Sequence, residues 1–386
     1  MSDDFRARAR AWLAGHAPRA PITDLGEARA FQAALHDAGL AGITWPAAYG
    51  GQGLSPAEQR AFAEEAAAYE LPSDPFLIGM GMVGPTILDL GSEEQKSRDL
   101  RPLLRGEEIW CQLFSEPGAG SDVAGLQTRA VRDGDEWVVD GQKVWTSRAH
   151  FADRGALIAR TDPSVPKHRG ITMFLIDMHA PGVTVRPLRD MTGGSRFNEV
   201  FFDGLRLPAD AVVGEVGAGW AAAVRMLGHE RVAIGDRIRP REAAASSATL
   251  SALAGSDPAV RRRLAELYVT ERVNELFATR LAQEARAGRP PGPRGSVGKL
   301  AGARLARLSA DVAVEAAGSS ALAWEPGDAA AERLAYAIND APSSRIAGGT
   351  DEIQRGIIAD RVLGLPREPA VDKDVPFSEI KKGGRA

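Results

Sequence analysis

"EWVVDGQKVWTS", residues 136–147, breaks with the helix-forming composition that fills the chain before it. Two short runs rich in Val and Trp flank Asp140-Gly141, and this pattern predicts a hairpin turn between two strands. "EVFFDGLRLP" (199–208) repeats the device around Asp203-Gly204, and "GALIART", "GITMFLIDM" and "GVTVRPL" between them are further strand candidates bounded by Gly, Pro or Asp. The strands predict a β domain over residues 109–216.

On the N-terminal side, "DDFRARARAWLAGHAP", "EARAFQAALHDAGL" and "SPAEQRAFAEEAAAYEL" place apolar residues three or four apart among Ala, Leu, Glu and Arg. That period predicts helices over 1–108, with Ser55 and Pro56 starting the third after the turn-rich "WPAAYGGQGLS". On the C-terminal side, "WAAAVRMLGHERVAI" (220–234), the run 257–288 and "GSVGKLAGARLARLSADVAVEAAG" (295–318) predict a helix bundle over 217–386, with a surface loop at 288–296. The expected class is α+β: helices, a β domain, helices.

The bulk numbers exclude several functions. The 386 residues suffice for two or three domains, 44% are apolar and 25% charged. A net charge of −4 argues against a general nucleic-acid binder, and no apolar run is long enough to span a bilayer. The opening "MSDDFRARARAW" lacks the apolar core of a secretory signal, so a cytoplasmic location is expected. One cysteine, Cys111, and the absence of paired histidines give no metal-binding pattern.

Three stretches carry chemistry. "CQLFSEPGAGSDVAG" (111–125) runs from an apolar strand into a loop of small residues. Such a loop exposes successive backbone N–H groups to an anion, with the Ser115 and Ser121 hydroxyls beside them. It is not the dinucleotide fingerprint, because no helix-period segment follows. "KVWTSRAH" (143–150) sets Trp145 beside Thr146 and Ser147; such a Trp either fills a sandwich core or stacks on a planar ligand. "GGTDEIQRGIIADRVLGLP" (348–366) has two glycines before a helix whose first turn holds Asp351 and Glu352 and whose end is marked by Gly364 and Pro366. There the backbone can approach a ligand closely.

In chain order, "WPAAYGGQGLS", "GSEEQKSRDLRPLLRGE", "SEPGAGSDVAGLQTRA", "DGQKVWTS", "GITMFLIDM", "PGVTVRPL" and "GGTDEIQRGIIADRVLGLP" together resemble the acyl-CoA dehydrogenase family, in its bacterial and especially actinobacterial branch. The resemblance covers essentially the whole chain. It implies an N-terminal helical domain, a middle β domain and a C-terminal four-helix bundle, with FAD between the latter two near a subunit interface. Matched position by position, Gln112, Phe114 and Ser115 correspond to residues lining the flavin, while Gly120 and Ser121 belong to its phosphate loop. Ser121 also lies near the acyl-CoA. Trp145, Thr146 and Ser147 match the segment against the isoalloxazine ring, and Thr350 and Glu352 touch the cofactor. Arg231 and Gly349 are assigned to the substrate.

The reaction so implied removes the α-proton of an acyl-CoA thioester and sends a hydride from the β-carbon to flavin N5, giving a trans-2-enoyl-CoA. Many relatives place the catalytic glutamate where this chain has Gly348. Trp220, Ala223, Leu227, Glu230 and Ile234 fall at alternating spacings of three and four, so Glu230 lies on the apolar stripe of its helix. By position it is equally a base or a structural ion-pair partner of Arg225 or Arg231. The isovaleryl- and long-chain branch lacks the loop glutamate and carries its base at the Glu-Arg of this helix. "HER" at 229–231 matches it, which assigns Glu230 as base. Burial is expected to raise its pKa. The Gly348 amide is left to the thioester oxygen.

Two departures stand out. The Arg-x-x-Phe-Gly motif that pairs with FAD pyrophosphate is missing from 241–260, and the "GGxG" segment is reduced to "AAGSSA" at 316–321. They resemble branches that assemble as heteromers. The alternatives are therefore a flavin-poor or half-site subunit of a heteromer, or a flavin oxidase or monooxygenase on the same fold. Expected partners are an electron-transfer flavoprotein and either a homotetramer or a related subunit. Arg237, Arg239 and Arg241 could meet CoA phosphates or form a solvated turn, and His150 and His229 are expected to be polar supports of the site segments.

Overall fold

The computed structural model describes residues 2–235, 245–289, 292–367, 369–370 and 372–380. Five helices come first: α1 (Ser2–His16), α2 (Leu25–Asp37), α3 (Pro56–Ala66), α4 (Gly84–Leu90) and α5 (Glu93–Arg105), with a π-helical turn, Gly79–Val83, running into α4. Ser55 and Ser92 cap α3 and α5 in capping boxes with Glu58 and Gln95. Seven strands follow: β1 (Trp110–Leu113), β2 (Arg129–Asp133), β3 (Glu136–Ser147), β4 (Arg154–Arg160), β5 (Ile171–Asp177), β6 (Val183–Leu188) and β7 (Phe197–Pro208). Then come α6 (Gly219–Gly235), α7 (Ser247–Ser251), α8 (Pro258–Arg286), α9 (Gly295–Ala317), α10 (Ala329–Asp340) and α11 (Asp351–Ile357), which continues as a π-helical turn to Val362.

These elements form two compact units. The first holds residues 1–188, 195–237 and 371–386, and the second 189–194 and 238–370. Helix α6 thus belongs to the unit that contains the sheet. In that sheet β4 pairs in parallel with β1 and antiparallel with β5, and β3 is flanked by β2 and β7, with β6 outside β7.

Burial on both faces explains the apolar middles of β4 (155–159) and β5 (173–176). Leu157, Ala159, Phe174 and Ile176 face one core with Trp137, Val139 and Val200. Ala156, Ile158, Met173 and Leu175 face the other, against Ile87, Leu100, Leu103, Ala223 and Met226 of the helices. Strands buried on both faces read as near-continuous apolar runs. In the second unit, Leu250 of α7, Leu264 and Leu267 of α8, Val312 and Ala313 of α9 and Leu334 of α10 form a separate core.

The hairpin expectation at both Asp-Gly pairs is corrected. β3 runs unbroken through Asp140-Gly141, and β7 through Asp203-Gly204. The register passes from Val139↔Leu205 to Gly141↔Phe202, so Asp203 and Gly204 together oppose Asp140, whose Oδ1 accepts from Gly204 N at 2.9 Å. The Asp-Gly pairs make a bulge that lets two twelve-residue strands twist. The true turn is Gly134-Asp135, between the paired Asp133 and Glu136. At Gly141 a Cβ would lie 2.5 Å from Thr128 Oγ1 and 2.7 Å from Thr128 Cα. Gly141→Ala should therefore cost about 1–3 kcal/mol by overpacking, read as a lower urea midpoint at unchanged slope.

Candidate active site

In the first unit the glycine loop leaves β1 and is fastened by one carboxylate. Glu116 N and O exchange hydrogen bonds with Ala119 O and N, each 3.0 Å, closing the turn over Pro117 and Gly118. The Glu116 carboxylate accepts from Gln127 N at 2.6 Å, Thr128 N at 2.9 Å and Lys143 Nζ at 2.8 Å. Lys143 is fully buried and also donates to Phe114 O at 3.0 Å. Burial lowers the Lys143 pKa to about 8, against the pull of Glu116. Burial alone would raise Glu116, but Lys143 and the two amides hold it below the usual carboxylate range.

The same lysine sits on β3, where Ser115 O accepts from Val144 N at 2.9 Å. The loop and the segment carrying Trp145 are therefore one structure. Beyond the turn, Ser121 is exposed, and a Cβ at Gly118 or Gly120 would meet nothing within 4 Å, so the loop presents bare backbone outward. Only a three-residue 3-10 turn, Val123–Gly125, follows. Gln112 is half-buried, with Nε2 3.7 Å from Met226 Sδ on α6, whereas the Phe114 ring is buried in the core between sheet and helices.

Trp145 is not a core residue. Between Lys143↔Val200 and Thr146↔Asn198, Val144 and Trp145 together oppose Glu199, a second bulge. Trp145 takes φ +59° and is 56% exposed, its ring edge-on to Phe197 at 5.8 Å. A left-handed, solvent-facing tryptophan is a strained arrangement of the kind found at binding sites. Beside it Thr146 is buried, its Oγ1 without a partner among the described residues, while its carbonyl accepts from Asn198 Nδ2 at 3.0 Å. Asn198 Oδ1 lies 3.2 Å from His150 Nδ1, and Ser147 is half-buried. An exposed flat ring, an orphaned hydroxyl and an open glycine loop on one framework fit a flat, phosphate-bearing group such as a flavin nucleotide.

On α6 the buried residues are Ala222, Ala223 and Met226, with Trp220 and Leu227 partly buried. Glu230 is half-buried one turn beyond Met226. Next to it, His229 Nε2 lies 2.9 Å from Asp89 Oδ2 and Arg225 Nε 3.5 Å from the same oxygen, pinning α6 to α4. The Arg231 side chain and Arg237, Arg239 and Arg241 lie outside the described residues.

In the second unit, Gly348 and Gly349 take φ +64° and +89°, which requires glycine. Gln354 Nε2 donates to both of their carbonyls, at 2.8 and 3.4 Å, while the Gly348 N–H takes no partner among the described residues. Thr350 caps α11 by accepting from Ile353 N at 3.3 Å. Buried Asp351 accepts from Arg345 Nε at 2.7 Å, and the exposed Glu352 carboxylate is held below its ordinary range by its own backbone amide and the Thr350 hydroxyl. No group of three His, Cys, Asp or Glu among the described residues could hold a metal, and no helix there is long and apolar enough to cross a membrane.

The order of helices, β sheet and helices is that of a known class of flavoprotein oxidoreductases. Three family descriptions match in chain order: acyl-CoA dehydrogenase N-terminal domain at 2–107, middle domain at 111–205 and C-terminal domain at 217–363. The chain belongs to the acyl-CoA dehydrogenase family, whose members are FAD-dependent. It is 38% identical over 382 residues to acyl-CoA dehydrogenase IpdE1 of Mycobacterium tuberculosis, covering 95% of this chain and 98% of that one. It is 43% identical over 336 residues to acyl-CoA dehydrogenase FadE34 of the same organism, covering 87% of this chain but 46% of the relative. Two solved structures, the Tcur3481-Tcur3483 steroid ACAD and the ChsE4-ChsE5 complex from M. tuberculosis, each match at 31% identity and TM-score 0.76, over 95% of this chain and 98% of theirs.

Four features of the site escaped the sequence reading. The buried Lys143–Glu116 pair, the Trp145 bulge, the Asp89–His229 link and the Arg345–Asp351 pair each join residues that no local pattern connects. A lysine at an inward position of a β-rich run was the one available signal for the first.

Proposed function

We propose that the protein catalyses FAD-dependent α,β-dehydrogenation of an acyl-CoA thioester, with Glu230 as the base. The observation that carries this reading is the half-buried carboxylate of Glu230 on α6, one turn beyond the core residue Met226; Gly348 offers no carboxylate of its own. Gly120 and Ser121 would hold the cofactor phosphate, Trp145, Thr146 and Ser147 its ring, with Gln112, Phe114 and Ser115 lining the flavin; Thr350 and Glu352 are assigned to the cofactor as well. Bound FAD would supply the hydride acceptor. Glu230 takes the α-proton. The Gly348 N–H donates to the thioester oxygen as enolate charge grows. Gly349 and Arg231 contact the substrate, and an electron-transfer flavoprotein takes the electrons.

The likeness to a steroid ACAD supports a ring-bearing acyl group. A second reading, a half-site subunit of a heteromer, has its own support. Residues 245–260 hold no arginine to face a pyrophosphate. Tyr268, Val269, Val273 and Leu276 leave an apolar strip of α8 exposed, and one solved relative is a complex of two chains.

The visible spectrum of the protein purified alone with FAD decides between them. A stable flavin band, bleached anaerobically by a CoA ester and restored by an electron-transfer flavoprotein, is the expected result. Colourless protein that gains the band only with a related subunit present would establish the half-site reading. Rapid productive reaction of the reduced protein with oxygen would point to an oxidase or monooxygenase instead.

A further inference from the structure

The segment Asp372–Ile380 lies along the 162–169 turn that joins β4 to β5. Phe377 N donates to Val165 O and Ser378 N to Pro163 O, both at 2.9 Å, and Pro376 bridges Pro166. Two separate links run from this segment to the glycine loop. In the first, Asp372 Oδ2 takes Lys167 Nζ at 2.8 Å, and the same ammonium reaches Asp122 Oδ2 at 2.9 Å. Burial works against the Lys167 charge, yet the two carboxylates hold its pKa above the ordinary value. In the second, the Phe377 ring covers Arg160, whose Cζ is 3.5 Å from the ring centroid. Arg160 is buried and donates to Ala124 O at 2.6 Å, Leu126 O at 3.2 Å and Lys167 O at 3.0 Å.

Both links end on residues 122–126, directly after Gly120 and Ser121. Gly120, Ser121 and Asp122 are exposed between the core residues Ala119 and Ala124, so this stretch of the loop has little packing of its own to order it. A ligand that binds bare backbone must bear the entropy of fixing it, unless something else has already done so.

We propose that residues 372–380 are a strap that pre-orders the 118–126 loop, with Lys167 and Arg160 as its positioning residues, and thereby sets how tightly the loop holds the flavin phosphate. The last clause rests on the flavin assignment of the loop made above.

The test uses the full chain carrying Asp372→Ala, Phe377→Ala or both, with two readouts. Deuterium uptake by amides 118–126 is measured in FAD-free protein, and FAD affinity by quenching of flavin fluorescence. In the double variant, uptake in this loop should rise about tenfold while α5 and α9 keep their protection, and FAD should bind about tenfold more weakly. At saturating FAD, kcat should stay the same. Unchanged uptake at 118–126 overturns the strap whether or not FAD binds. Raised uptake with unchanged FAD affinity overturns its role in ligand grip. Raised uptake in a chain that never binds FAD supports the strap and removes the flavin assignment instead.

Discussion

Glu230→Gln should lower the rate of flavin reduction by an acyl-CoA substrate about a thousandfold, the usual worth of a positioned general base. FAD should remain bound. Glutamine keeps the volume and hydrogen-bonding reach of glutamate but cannot accept the α-proton. The helix should also stay in place, because α6 is fixed by Ala222, Ala223 and Met226 in the core and by His229 on Asp89, none of which changes. The cofactor contacts proposed for the first unit lie on β1, the glycine loop and β3, not on α6. Anaerobic stopped-flow bleaching of the flavin band measures the rate directly, with the equilibrium flavin content as the control. Turnover within tenfold of the parent would remove Glu230 as base and return it to a structural role.

Lys143→Met should cost about 3–5 kcal/mol at neutral pH, the penalty for leaving a buried charge without its partner. Methionine matches the length of the lysine stem, so little volume is lost. What is lost is the ammonium that compensates Glu116, itself only 8% exposed. The pH dependence separates this cause from simple mispacking. In the parent, Glu116 is held below its ordinary 4.5, so its contribution is present above that value and disappears on acidification. In the variant, burial acts alone and raises the Glu116 pKa, so the carboxyl is tolerated once protonated. The stability gap should therefore be widest near neutrality and narrow towards pH 4. Urea denaturation at several pH values measures it, and a pH-independent gap would show that the cost is packing. Glu116→Gln combined with Lys143→Met should recover part of the loss.

The alternation of helical and β-rich segments was legible because periodicity is local, and it placed α3, α8, α9, β4 and β5 correctly. The Asp140-Gly141 pair was misread because an Asp-Gly dipeptide serves a turn and a bulge equally well. Only the partner strand, β7, decides which. The α6 stripe was read about a residue out of phase. Packing against both β5 and the Gly79–Val83 turn buries more of its surface than one face, so Ala222 and Met226 are covered while Trp220 and Leu227 are only partly so. The site segments were visible as a loop of small residues, a tryptophan beside hydroxyls and a pair of glycines. Their supports were not, because Lys143 meets Glu116 across 27 residues and His229 meets Asp89 across 140.

The bulge at Asp140 also bears on how this chain folds. β3 and β7 pair over most of their length, yet Asp140 and Gly204 are 64 residues apart in sequence, so closing this contact carries a loop-closure cost. A slip of one residue would exchange the two faces of β3, turning Val144 outward and Trp145 into the core. Hydrophobic burial discriminates weakly between those alternatives at this end of the strand, where a tryptophan could fill the space that a valine vacates. The hydrogen bond from Gly204 N to Asp140 Oδ1 exists in one register alone, so Asp140 adds to the stability of the native register over the slipped one.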